Sequence, residues 1–412
     1  MKLSLPRPRF WLPLLLGLTL PGFAVAQNVL EQIIDANRED FGPWVKHPDS
    51  FEVQVLFTQI DRDEAGRIQL TSHRWGTTSN EYFYPASTVK MPVAALALQR
   101  INELGIVGLD ARTPMLTGRG ILPQAAPQTV AMTDTSSTSG LPTVENYLRK
   151  VFLVSDNDAY CRLFEWLGPN YINGALRAVG IHGARIQHRV GVGGFDTETH
   201  QYLNPIRFAE GFRTLYEVGE RHHDYYDPLP ALKGQFRGVG YVTNDGDIVE
   251  EPFDFSHKNY LSIQHLHDIV LRLVLPEAVP AEQRFKLSEE DYAMIRRAMS
   301  ERPRESSSPR YDKADNYVKF WMYGDQPEET EIPTSLRIYN KVGWAYGYLT
   351  DAAYVMEETT GTEFLLVGVI HVNANRIYND GNYEYESIGL PFFGQLGRAV
   401  MAFERDRRAR GR

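Results

Sequence analysis

Three short groups of residues in this chain carry side chains suited to nucleophilic acyl chemistry. The first is Ser87-Thr88-Val89-Lys90, which follows Pro85 and opens a long apolar run. On a helix, residues three apart share a face, so the Ser87 hydroxyl and the Lys90 amine are expected within hydrogen-bonding reach. A serine hydroxyl attacks well once a neighbouring base takes its proton. A lysine serves as that base when burial or nearby positive charge lowers its pKa. The helix N-terminus also directs amide N–H groups and positive dipole at Ser87, which suits a developing oxyanion. The second group, Ser155-Asp156-Asn157, falls at a break between two helical patterns. The third, Lys341-Val342-Gly343, closes a strand pattern. S-x-x-K alone arises by chance in a chain of this length, but here each group occurs once and in this order.

The ordered set S-x-x-K, S-D-N, K-x-G resembles the penicillin-binding proteins and class A β-lactamases. Neighbouring residues extend the resemblance: Pro85-Ala86 ahead of Ser87, and Thr143-Val144-Glu145 leading into Val154-Ser155. It spans most of residues 50–200 and 260–403 and is weak over 205–258 and 301–330. The fold it implies is α+β and β-lactamase-like: an antiparallel sheet from both termini, flanked by helices, with an inserted all-helical subdomain. It also implies roles for the motif residues. Ser87 is the acylated nucleophile and Lys90 its activating partner. Ser155 relays a proton to the leaving nitrogen, and Lys341 sustains the hydrogen-bond network and positive field. Asn157 holds the substrate's side-chain amide. Gly343 and Trp344 line the substrate-binding strand, with the N–H groups of Ser87 and Trp344 as the oxyanion hole. No cofactor and no metal is implied.

The sequence departs from that pattern in three places. The class A enzymes carry a deacylating glutamate on the loop after the S-D-N helices; the matching stretch here, 183–190, puts Val190 at that position. Asp196 and Glu198 are the nearest downstream carboxylates, and either substitutes only if the loop is remodelled. The third motif reads K-V-G, and valine offers no hydroxyl to a substrate carboxylate. Losing one donor to a charged acceptor costs about 1.5–3 kcal/mol; Arg376 or Asn373 are the compensating candidates. Finally, 205–258 and 301–330, the latter with Tyr311, Tyr317, Phe320, Trp321 and Tyr323, either wall the cleft or pack on the helical subdomain. The first two departures weaken hydrolysis of a β-lactam more than acylation by it.

The elements that must position these groups are legible from periodicity and capping. Helices are expected over 29–38, 87–104, 143–154, 158–167, 205–218, 262–275, 288–300 and 386–405. Strands are expected over 51–60, 67–75, 336–342, 352–357 and 363–372, with a hairpin over 236–255 turning at Asn244-Asp245-Gly246-Asp247. The stretch 168–203 reads as loop. Strands therefore cluster at both ends and helices fill the middle. This divides the chain into a signal (1–26), a hydrolase domain (27–403) and a basic tail (404–412). Within the domain, the sheet part is about 27–84 and 331–403 and the helical part about 85–330.

Composition bounds the remaining choices. The chain has 412 residues, 43% hydrophobic and 23% charged, which fits a folded globular protein. Its net charge of −9 argues against a nucleic-acid partner. Residues 1–26 join Lys2, Arg7 and Arg9 to a short apolar run and end in Ala24-Val25-Ala26, the form of a cleaved secretory signal. The expectation is a periplasmic monomer with no membrane span after cleavage. Cys161 is the single cysteine, so an intramolecular disulfide is excluded and a buried, inert thiol is expected. His222-His223-Asp224 and His265-Leu266-His267-Asp268 are read as structural, because helical residues two apart do not converge on one ion. The five arginines of 405–412 are expected on a solvated, disordered end.

The leading functional expectation is an exported serine hydrolase of the class A β-lactamase type, acylated by a β-lactam or related cyclic amide or ester and then hydrolysed. One alternative is a penicillin-binding-protein-like D-Ala-D-Ala carboxypeptidase; another is a β-lactam-binding or sensing module that does not turn over. The partner in each case is a small molecule, a β-lactam or a cell-wall peptide fragment.

Overall fold

The computed structural model describes residues 28–77, 80–120, 130–225, 227–228 and 232–411. The expected signal over 1–26 lies outside the described residues. Strands β1 (Gln54–Arg62), β2 (Ile68–Gly76), β3 (Leu336–Ala345), β4 (Tyr348–Glu357) and β5 (Thr362–His371) form one antiparallel sheet in the order β3-β4-β5-β1-β2. The N-terminal hairpin meets the C-terminal meander through β1 and β5, with Gln54 opposite Val369 and Gln59 opposite Phe364. A sheet from both ends of the chain is what the α+β expectation required.

Both faces of this sheet are covered. Every residue of β5 is buried, and alternate side chains enter two separate cores. Leu365, Val367 and Val369 join helices α2 (Lys90–Leu104), α3 (Val144–Leu153), α4 (Asn157–Leu167) and α6 (Ile263–Val274). Phe364, Leu366 and Ile370 face α1 (Val29–Ala36), α8 (Leu390–Arg410), Trp44 and Trp321. Each such side chain contributes about 1.5–3 kcal/mol by leaving water. Completing the helices are α5 (Pro169–Ala178) and α7 (Glu289–Ser300).

Capping fixes where the helices that serve the site begin. Thr143 accepts from Asn146 N at 3.1 Å and opens α3; Asp156 accepts from Ala159 N at 2.8 Å and opens α4. Ser262 and His265 close a reciprocal capping box on α6, and Ser288 and Asp291 do the same on α7.

Three expectations are corrected. Residues 205–218 are not a helix but an antiparallel hairpin, Ile206–Glu210 with Arg213–Val218, so the inserted region is not all-helical. The apolar spacing there fits both periods, and a bulge between Phe208 and Ala209 breaks the alternation that marks a strand. Within 168–203, read as loop, α5 forms behind Gly168 with Pro169 in its first turn, where a missing N–H costs nothing. The basic tail is not a disordered end through Arg410. It extends α8, and its arginines pair with sheet carboxylates: Arg405 with Glu357, and Arg407 with Asp61 at 2.6 Å. The hairpin over 236–255 forms as expected, with Ile248 opposite Val242 and Phe253 opposite Arg237. Among the described residues no helix is long and apolar enough to cross a membrane.

Candidate active site

Ser87 sits in a tight turn, Ala86–Val89, that feeds directly into α2. Thr88 Oγ1 donates to Pro85 O at 2.6 Å and holds this turn. The other edge of the site is β3, and Gly343 is what lets it come close. A methyl group there would lie 2.7 Å from Pro85 O and 3.0 Å from Ser87 N, so only glycine admits the strand beside the Ser87 amide. That contact explains why the third motif ends in glycine. It also sets the backbone before Trp344 against the helix N-terminus, where an oxyanion is best received.

Lys90 is fully buried on the first turn of α2. Its Nζ donates to Ser155 O at 2.5 Å, to Asn157 Oδ1 at 2.5 Å and to Ser155 Oγ at 3.4 Å. An ammonium has three protons, so these partners satisfy it. The expected Ser87–Lys90 hydrogen bond is not formed: the amine is turned toward the S-D-N turn, which offers two strong acceptors. Burial lowers the Lys90 pKa to about 7, against a small opposing pull from Cys161 and Asp156. A sizeable fraction is therefore neutral near neutral pH and carries the lone pair that a base needs.

Ser155 stands between the two lysines. Lys341 Nζ donates to Ser155 Oγ at 2.9 Å and to Val342 O at 2.8 Å. With its oxygen accepting from lysine, the Ser155 hydroxyl proton is free to be given away into the cleft. Lys341 is itself buried, and burial together with the Lys90 charge lowers its pKa well below the usual lysine range. Two lysines sharing one serine is a costly arrangement that packing alone does not call for. Ser155 also holds φ 58°, a left-handed conformation disfavoured for serine, and Ala86, just before Ser87, holds φ 45°. Strain of this kind, about 1–3 kcal/mol per residue, concentrates where geometry serves chemistry.

Asn157 lines the cavity and bridges the Lys90 amine to the loop opposite. Its Oδ1 takes Lys90 and its Nδ2 reaches Gly191 O at 3.4 Å, tying the amine to the 190–191 loop. Gly191 permits that approach, since a Cβ there would collide with Asn157 Nδ2.

Ser87, Ser155, Asn157, Gly343 and Trp344 line one cavity of about 790 Å³. Lys90 and Lys341 lie beneath it, so all seven expected site residues meet there. Trp344 is 44% exposed, with its ring stacked on Phe320 and edge-on to Tyr317. Val190 also lines the cavity, which places the 183–190 loop where the expectation put it. Among the described lining residues the one carboxylate is Asp156, already spent on capping α4. Asp196 and Glu198 do not line it. Asp196 instead accepts from Thr199 N at 2.7 Å and from Thr199 Oγ1 at 2.8 Å, closing its own loop. Arg376 and Asn373 do not line it either, so neither stands in for the missing hydroxyl at Val342.

Tyr311 and Tyr317 wall the cavity, whereas Phe320 and Trp321 are core. The 205–258 insertion lines a second cavity, of about 770 Å³, together with 187–201. Sequence reasoning missed Lys313 and the opposite wall of Asn379, Tyr383 and Tyr385. The signal for that wall is topological. His371 pairs with Tyr348 at the end of β5, so the segment that follows must leave beside Ala345. Cys161 is buried against Val190 O, and burial pushes its thiol up to about 12, the inert state expected. His267 is occupied by Thr58 at 2.9 Å and by Asp268.

A family model described as "Beta-lactamase enzyme family" matches residues 46–226, a stretch that holds Ser87, Lys90 and the S-D-N group. No curated protein matches the chain. Similar solved structures include a β-lactamase from Xanthomonas campestris pv. campestris, 15% identical, covering 90% of this chain and 96% of that one at a TM-score of 0.48. A β-lactamase from Burkholderia vietnamiensis is 14% identical, with the same coverage and TM-score. A structure titled PBP-A is 15% identical, covering 92% of this chain and 97% of that one, also at 0.48. The matched stretch carries the first two motifs and the fold delivers the third to the same cavity, so it is over residues 46–226 that the chain is similar to the β-lactamase enzyme family.

Proposed function

We propose that the protein is an exported serine hydrolase that forms an acyl-enzyme on Ser87 with a β-lactam or related cyclic amide or ester, and hydrolyses it slowly. Ser87 Oγ attacks the carbonyl carbon as neutral Lys90 takes its proton. The oxyanion is received by the Ser87 and Trp344 amides; the Ser155 hydroxyl gives its proton to the leaving nitrogen and takes the Ser87 proton back from the Lys90 ammonium, while Lys341 holds Ser155 for that relay. The observation that carries this reading is the Lys90–Ser155–Lys341 chain beneath the Ser87 cavity, with Lys90 lowered to about 7. The cleaved signal over 1–26 and a periplasmic site of action belong to the same proposal.

A second reading, a penicillin-binding-protein-like D-Ala-D-Ala carboxypeptidase, is favoured by one feature: among the described residues the cavity wall holds no carboxylate free to activate a deacylating water. Both readings need Ser87. A fluorescent penicillin is expected to label the mature protein covalently and to leave Ser87→Ala unlabelled. Equal labelling of the two proteins would refute the nucleophile assignment.

A further inference from the structure

We propose that Lys313, supplied by the 301–330 insertion, is the residue that binds the substrate's carboxylate, in place of the hydroxyl that Val342 lacks. The inference rests on the acyl-enzyme reading above and names the class of substrate its cleft takes: an amide or lactam bearing an acid group next to the scissile bond.

The insertion walls the cavity with Tyr311, Lys313, Tyr317 and Val318 and is fixed on both sides of them. At one end Arg149, on α3, holds Ser308 O and donates to Ser306 Oγ at 2.8 Å, pinning the insertion to the helix that leads into the S-D-N turn. At the other end Lys319 donates to Asn340 Oδ1 at 2.7 Å, and Asn340 Nδ2 donates to Asp351 Oδ1 at 2.7 Å. Asp351 Oδ2 in turn accepts from Phe320 N and Trp321 N at 3.1 and 3.2 Å. These groups are buried and mutually satisfied, so this end is locked to β3 and β4, the strands that carry and pair with Lys341.

Lys313 lies between the two anchors and lines the cavity with Tyr311, Tyr317 and Val318. Its Nζ is 4.8 Å from the Tyr317 ring centroid, and the Tyr317 ring is 5.9 Å from that of Trp344. This places an ammonium on the wall of the cavity that also holds Ser87 and the strand residues Val342, Gly343 and Trp344. Lys313 is exposed and makes no ion pair among the described residues. Lys90 and Lys341 are committed to Ser155, leaving Lys313 as the cation of this wall that a ligand can reach. On a chain of net charge −9, an exposed ammonium on the wall of this cavity offers a local site for an anion.

The test separates binding from acylation. In the Ser87→Ala background, benzylpenicillin binding is measured by calorimetry and compared with that of its methyl ester, with and without Lys313→Met. The expected result is a loss of about tenfold or more for the acid and none for the ester, with Lys313→Arg restoring most of it. Acid binding unchanged by Lys313→Met, or no acid binding at millimolar concentration, overturns the assignment. Labelling of the otherwise native protein is scored separately. A protein that labels normally but ignores Lys313 loses only this inference. One that never labels yet binds acid through Lys313 keeps the inference and loses the hydrolase reading.

Discussion

The turn that carries Ser87 and the loop that carries Val190 face each other across the same cavity, and they are built very differently. On the Ser87 side, strained backbone at Ala86 and Ser155, a glycine without room for a methyl group, and two buried lysines converge on one hydroxyl. On the Val190 side, an apolar side chain meets the cavity, and the nearest downstream carboxylate, Asp196, is absorbed in its own turn. On the proposed reading, the groups that would make an acyl-enzyme are assembled, while among the described residues none is placed to break it with water. Acylation and deacylation would share this cleft but draw on different residues, so one step can be retained when the other is lost.

The comparison breaks most severely at Lys90. Lys90→Met is expected to slow acylation by about 10²–10⁴-fold, the usual worth of a positioned base. With the native residue, the acylation rate rises with pH through an apparent pKa about 7, because burial makes the neutral amine available there and protonation below it removes the lone pair. Stopped-flow acylation from pH 5 to 9 checks both; a flat profile would mean that Lys90 is not the base. Next is Gly343→Ala, whose methyl group must push β3 from Pro85 O and Ser87 N. About 1–3 kcal/mol of stability is lost to such overpacking, and acylation falls with it. Thermal unfolding alongside the labelling rate checks that the two losses occur together. The smallest effect sharpens the other side of the comparison. Val190→Glu places a carboxylate on the wall that lacks one and is expected to speed deacylation on the order of tenfold, leaving acylation little changed. An unaltered adduct lifetime would mean that the loop presents position 190 away from the acyl carbonyl.

The three motif groups and the main sheet were legible because local chemistry specifies them. Thr143, Asp156, Ser262 and Ser288 are caps by residue type, and the strands of the two terminal regions are apolar runs bounded by turns. The hairpin at 206–218 was not legible, because a bulge at Phe208/Ala209 and a turn without an Asn-Gly pair leave a spacing equally helical. Helix α5 was hidden by Gly168 and Pro169, which punctuate loops and helix starts alike. The Lys90 orientation was hidden for another reason. Helical spacing brings it near Ser87, but its partners are set by the Ser155 turn far along the chain. Lys313 is further from sequence reasoning still, since its segment is held on the cavity wall by long-range links, Lys319–Asn340–Asp351 on one side and Arg149–Ser306 on the other.

The most direct test of the imbalance between the two sides is an intact-mass time course of the mature protein with benzylpenicillin. A Ser87 adduct that forms readily and persists after free penicillin is removed is the predicted result. An adduct that clears while penicillin is consumed catalytically would contradict it, and would mean that a deacylating base reaches the cavity from a residue other than Val190, Asp196 or Glu198.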